Sequence, residues 1–279
     1  MNSVVIVGTG LIGASIGLAL REAGFAGAIT GIDASGDELK TAQELGAIDV
    51  AARSPDEHRA AIAGADVIVL AVPVMAILRW MQQIAPSLRA GQLVTDVGST
   101  KVAIGELAER LMPGQFLPGH PMAGKESGGA ALAEALLFRG ATWLFTPLHA
   151  ATEVETVWRG WVSRFGANVL DLPAEQHDRV CAWVSHMPQM VSTAMSAMLE
   201  DEFGDSPELR AIGGRALREM TRLGASPYSM WRDIAHTNEA PIAETLHTLE
   251  QRLQHMRENL KSPELRDEFA LANEFRKRL

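Results

Sequence analysis

Over the first part of the chain, short apolar runs alternate with stretches of helical periodicity. Residues 4–7 predict a strand, and residues 11–23 carry apolar positions at helical spacing. A second strand is expected over 28–33, then a helix over 37–46 closed by its glycine. Residues 67–72 form a continuous Val/Ile/Leu-type run, the pattern of a strand buried on both faces of a parallel sheet. Further strands are expected over 93–97, 116–119, 142–145 and 168–173. Strands alternating with helices of this length imply βαβ units wound on both faces of one sheet. The pattern then changes. Residues 174–203, 208–220, 230–260 and 263–279 read as helices, with Met187, Met190, Met195 and Met198 filling apolar faces as packing residues. The chain thus divides into an α/β domain over 1–172 and an all-helical C-terminal domain over 173–279.

Composition narrows the partners. The 279 residues are 47% hydrophobic and carry a net charge of −9, which disfavours nucleic acid or an anionic membrane and leaves room for a local basic pocket around an acidic small molecule. The single cysteine, Cys181, excludes a disulfide framework and fits a reducing compartment. Residues 3–20 are apolar enough to suggest a signal peptide, but no Lys or Arg precedes them and glycines interrupt them. The run over 65–78 is too short for a membrane span and contains Pro73. The expected location is the cytoplasm.

Gly8-Thr9-Gly10-Leu11-Ile12-Gly13 is a G-x-G-x-x-G between a predicted strand and a predicted helix. Gly8 allows the tight turn and Gly10 the approach of a pyrophosphate. Gly13 lets helix and strand pack, while Leu11 and Ile12 open the helix whose N-terminus faces the phosphates. Asp33 follows at the end of the second strand, where a carboxylate binds the adenosine ribose. Ala34-Ser35-Gly36 supplies no arginine for a 2′-phosphate, so NAD is expected rather than NADP. The other reading of Asp33 is a plain turn residue. With this loop the first domain reads as a Rossmann-type doubly wound sheet.

Ligands of such sheets bind beyond the carboxyl ends of the strands, which brings Val72 and Pro73, residues 96–101 and residues 119–126 to one place. His120, between Gly119 and Pro121, is rigidly placed there, and imidazole suits proton transfer near neutral pH. Standing alone it would be an ordinary loop histidine.

Four motifs in order, TDVGSTK at 95–101, GHPMAGKE at 119–126, VSHMPQ at 184–189 and MTRLGASPYSMWRDI at 220–234, resemble the prephenate/arogenate dehydrogenase family of tyrosine biosynthesis. The resemblance covers essentially the whole chain and implies the minimal, monofunctional form, without a chorismate mutase or C-terminal regulatory domain. It implies NAD-dependent oxidative decarboxylation of prephenate, with His120 taking the hydroxyl proton and Ser99 orienting histidine, hydroxyl and nicotinamide. Ser99 is also readable as a helix cap before 100–112. Arg222 matches the arginine that binds substrate carboxylate, though by itself it reads as a solvated helix residue. Trp231 matches an aromatic near the substrate and is equally readable as core. Glu126 is a candidate gate or a carboxylate that backs the residues touching substrate. His186 and Gln189 share a helical face toward the substrate side chain, and Gln189 replaces a histidine often found in the family. A glutamine hydrogen-bonds but cannot become cationic, which leaves the choice between prephenate and arogenate open. No histidine pair, His177 and His186 included, has zinc spacing, so no metal is expected. The resemblance also implies homodimers made by intertwined helical domains.

Two other readings compete. A related dehydrogenase of small acids or imines would commonly rely on a catalytic lysine, but Lys101 and Lys125 lie in the wrong motif context. A non-catalytic NAD-sensing protein would have lost His120 or Ser99, and both are present.

Overall fold

A computed structural model describes residues 1–125 and 127–278. The chain runs β1 (Ser3–Val7), α1 (Leu11–Glu22), β2 (Ala28–Ile32), α2 (Gly36–Glu44), β3 (Val50–Ala52), α3 (Pro55–Gly64), β4 (Val67–Leu70), α4 (Val74–Ile84), β5 (Leu93–Asp96), α5 (Val102–Leu111) and β6 (Phe116–Leu117). These six strands form one parallel sheet in the order β3-β2-β1-β4-β5-β6. The central strands are apolar throughout because each feeds two cores. Val4, Ile6, Val67 and Val69 pack with Leu20, Leu39 and Trp158 on one face. Val5, Val7, Ile68 and Leu70 pack with Ile77, Met81 and Ile104 on the other.

The expected strand over 116–119 is in fact two. The chain leaves the first sheet after Leu117 and enters a second, three-stranded sheet at β7 (Gly119–Pro121). β7 pairs antiparallel with β8 (Thr142–Phe145), and after α6 (Glu153–Arg164) β9 (Asn168–Asp171) pairs parallel with β8. His120 therefore sits on a strand, opposite Leu144, and not in a loop.

From there the elements are helical: α7 (Ala174–Cys181), α8 (Met187–Phe203), α9 (Pro207–Ile212), α10 (Arg215–Thr221), α11 (Tyr228–Thr237), α12 (Glu239–Glu258) and α13 (Pro263–Arg276). A π-turn over Ala182–His186 joins α7 to α8, and Asn238 breaks the helix expected over 230–260. The helical part has a small buried apolar cluster of its own, Ala182, Ile234 and Ile242. Meanwhile Met198, Phe203, Ile212, Leu253, Leu260 and Phe269 are at least half exposed, Ile212 at 82%. Among the described residues, no helix is long and apolar enough to cross a membrane.

The two parts meet at helix N-termini. The Asp178 carboxylate on α7 accepts from the Lys101 amide at 2.7 Å and the Val102 amide at 3.0 Å, capping α5. Asp233 on α11 accepts from the Met75 amide at 3.2 Å, at the start of α4. Both place a negative charge where the helix dipole is positive. Thr100 and Thr237 hydroxyls bond at 2.7 Å beside them.

Candidate active site

A cleft of about 700 Å³ opens beyond the carboxyl ends of β1, β4 and β5 and is closed on its far side by the helical part. Gly10, Leu11, Ile12, Val72 and Pro73 line one end, Ser99 and His120 the middle, and Gln189, Arg222 and Trp231 the opposite wall. The fold thus gathers these sequence-selected residues around one space. Glu126 lies outside the described residues.

The glycine loop fits a dinucleotide. Gly8 has φ +90°, and a Cβ there would overlap the Ala71 carbonyl oxygen; a Cβ on Gly13 would overlap the carbonyl of Gly8. Nothing lies within 4 Å of the Cβ position of Gly10, which leaves that side open to a pyrophosphate at the start of α1. Asp33 does not line this cleft. Its Oδ2 accepts from the Thr9 amide at 2.7 Å and its Oδ1 from the Ser35 amide at 2.8 Å, so it ties the loop to the end of β2. Those bonds leave carboxylate lone pairs for ribose hydroxyls.

His120 is held from three directions. On its chain, both backbone groups of Gly119 are pinned: the amide donates to Asp96 Oδ1 at 3.0 Å, and the carbonyl accepts from Lys101 Nζ at 2.8 Å. Lys101 and Asp96 are themselves a fully buried ion pair, which satisfies the charge of each. Behind the ring, Nδ1 of His120 lies 2.9 Å from Nε2 of His177, and Nδ1 of His177 lies 2.7 Å from Asp178 Oδ1. Burial, with His177, Lys101 and His186 adding to it, holds the His120 pKa well below the ordinary histidine range. The imidazole is therefore neutral near pH 7, the state that accepts a proton.

The helix-cap reading of Ser99 fails: α5 begins at Val102, and its cap is Asp178 from the helical part. Ser99 keeps its place on the cleft wall. His186 lies behind the wall, buried, its Nδ1 3.1 Å from Asn238 Nδ2 and its ring edge-on to Trp231. Burial first, opposed by Asp178 and assisted by His177, lowers its pKa to about 4. Its neighbour Ser185 takes the lining position. The π-turn accounts for this, because an extra residue in the turn shifts the helical phase. Gln189 does line the cleft, its amide donating to Leu223 O at 2.7 Å and Thr193 Oγ1 at 3.0 Å. Trp231 is on the wall with its indole N–H buried and, among the described residues, without a hydrogen-bond partner. Lys125, also on the wall, is paired with Glu134.

Sequence reasoning passed over His177, Asp178 and the Asp96–Lys101 pair. His177 and Cys181 also approach His120, bringing three possible metal-ligand atoms within 4.8 Å of one another. Burial, reinforced by Asp178, pushes the Cys181 thiol up to about 12, and the two imidazoles bond each other. Spacing along the chain, on which the expectation of no metal rests, cannot register this grouping.

The family models for the prephenate dehydrogenase nucleotide-binding domain and dimerization domain match residues 16–169 and 173–275. The chain is 31% identical to a prephenate dehydrogenase of Bacillus subtilis (strain 168) over 249 residues, covering 86% of this chain and 65% of that protein. It thus spans about two thirds of that relative's length. Among solved structures, prephenate dehydrogenase from A. aeolicus, in complex with hydroxyphenyl propionate and NAD+, superposes with a TM-score of 0.87 at 28% identity, covering 100% of this chain and 96% of that one. Synechocystis arogenate dehydrogenase superposes at 0.79, also with 28% identity, covering 99% of each chain. With its parallel nucleotide-binding sheet and the helical part that follows, the chain belongs to the prephenate dehydrogenase family.

Proposed function

We propose that this chain oxidatively decarboxylates prephenate with NAD, giving 4-hydroxyphenylpyruvate for tyrosine biosynthesis in the cytoplasm. One observation carries the reading: a buried, neutral histidine shares a cleft with the open side of the glycine loop and with Arg222. The relative from A. aeolicus was solved with a phenol-bearing acid and NAD+, which supports the same pair of ligands here. We take residues 1–172 as the nucleotide-binding unit and 173–279 as the helical, homodimer-forming unit.

Prephenate is a cyclohexadienol with a ring carboxylate opposite its hydroxyl-bearing carbon. When bound, NAD supplies the hydride acceptor. His120 accepts the hydroxyl proton as the carbinol carbon is oxidised, and Ser99 orients hydroxyl and imidazole. The ring carboxylate leaves as carbon dioxide, its electron pair completes the aromatic ring, and the resulting phenolate oxygen takes the proton back from His120. Arg222 binds substrate carboxylate through its guanidinium fork. Trp231 offers on the same wall an N–H that has no partner among the described residues. His186 acts from behind, by holding Trp231, and Glu126 is kept as a gate.

Gln189 supports a second reading. With its two N–H groups given to Leu223 and Thr193, its Oε1 remains as an acceptor for the ammonium of an amino-acid tail such as that of arogenate, so dual specificity is the alternative. The test is absorbance of the reduced nicotinamide after adding NAD with prephenate, with arogenate, or with a 3-hydroxy acid. Turnover of prephenate is expected. Turnover of the 3-hydroxy acid alone would reject the assignment.

A further inference from the structure

Behind His120 runs a buried line of polar groups whose protons can be assigned. Asp178 already accepts two backbone amides at the N-terminus of α5, one on each oxygen, at 2.7 and 3.0 Å. A carboxylate only accepts, so the His177 Nδ1, 2.7 Å away, is the donor between them. With that one hydrogen on His177, its Nε2 is bare, and the His120 Nδ1 at 2.9 Å must carry the hydrogen that fills it. The Cys181 thiol, 3.6 Å from the same Nε2, is a weaker donor. The other titratable groups around the ring are Lys101, matched by Asp96, and His186, bonded to Asn238. With both rings uncharged, no second assignment keeps every bond; a doubly protonated His177 would instead put the hydrogen on Nε2 of His120, the outcome that the labelling test reads directly.

We propose that His177 and Asp178 are positioning residues that hold His120 as its Nδ1–H tautomer, leaving Nε2 as the bare nitrogen that receives the substrate proton. The inference rests on the reading of His120 as the base. Once His120 is protonated, the same line faces the new positive charge with a carboxylate two bonds away. An unfixed imidazole would spend part of its time with a hydrogen on Nε2, where it cannot accept one.

The test uses the full chain labelled with 15N-histidine. In the wild type near neutral pH, the His120 resonances, identified by their loss in His120→Asn, should show a protonated Nδ1 and a bare Nε2. A hydrogen on Nε2 overturns the proposal outright, whatever any variant does. His177→Leu offers no acceptor and should give mixed tautomers, with turnover lowered roughly 10- to 1000-fold and little change in the Michaelis constant for prephenate. His177→Gln keeps an acceptor near the position of Nε2 and should retain turnover within about tenfold of the wild type. Unchanged tautomer and turnover in folded His177→Leu would also sink the relay. If His120→Asn itself turns over normally, the base reading has failed. If only the relay variants are silent in their effect, the base reading stands and the relay does not.

Discussion

Lys101 donates through Nζ to the carbonyl of Gly119, 2.8 Å away, and so grips the residue next to the proposed base. Its ammonium and the Asp96 carboxylate are both fully buried. Removing one partner leaves an uncompensated buried charge. Lys101→Met should therefore destabilise the chain by about 3–5 kcal/mol, read by denaturant unfolding. A loss within experimental error would mean that Asp96 is neutral in the fold.

His120 and Arg222 should fail differently. His120 is proposed to act on a moving proton, so in His120→Asn turnover should fall roughly 100- to 10,000-fold with the Michaelis constant nearly unchanged. Arg222 is proposed to bind carboxylate already in the ground state, so Arg222→Gln should chiefly raise the Michaelis constant for prephenate, by about 2–3 kcal/mol. Steady-state kinetics at saturating NAD separate the two. Near-normal turnover in His120→Asn would make that histidine structural.

The pH dependence follows from burial. His120 titrates well below the ordinary histidine range, so the acid limb of the turnover profile should lie below pH 6.5. Stability has the same sign: unfolded histidines take up protons near 6.5, whereas folded His186 does so only near 4. Protonation therefore favours the unfolded chain between those values, at a cost on the order of 3 kcal/mol for His186. Unfolding free energies measured from pH 7 to 4 should decline, and His186→Asn should flatten the decline. An unchanged slope in that variant would place the titration elsewhere.

Much of this was legible in the sequence, and what was not has physical causes. β1, the glycine loop and α1 declare themselves because a strand, three glycines and a helix must follow at fixed spacing. β3 is three residues with Val50 exposed, too short for a periodic signal. The passage from β6 to β7 changes sheets without changing apolarity, so one strand was read where two exist. His177 carries no motif; its meaning arises only where the fold brings it to His120, 57 residues away in sequence. Asp178 and Asp233 look like ordinary helix carboxylates until α5 and α4 are set against them.

The helical part should form a homodimer. Its buried apolar cluster is small, while Ile212 is 82% and Met198 70% exposed. Faces of this kind are commonly covered by symmetric association. Sedimentation at micromolar concentration should give twice the chain mass, and a clean monomer would refute the expectation.

Cofactor choice should sit with Asp33. Asp33→Ser combined with Ala34→Arg should move preference toward NADP, read as the ratio of kcat/KM for the two cofactors. Asp33 also holds the Thr9 amide, so NAD use should fall in Asp33→Ser alone. A wild type that uses both cofactors equally would contradict the assignment.

Asp178 has a consequence for how the chain becomes reactive. The same carboxylate seats the helical part on α5 and ends the line of polar groups that reaches His120. During synthesis the N-terminal part of the chain emerges first, with His120 and Ser99 already in it. At that stage its histidine has no neighbour to order its protons. If His120 is the base and His177 orders its protons as proposed, the base is armed only when α7 docks, and maturation of the fold and onset of reactivity are one event.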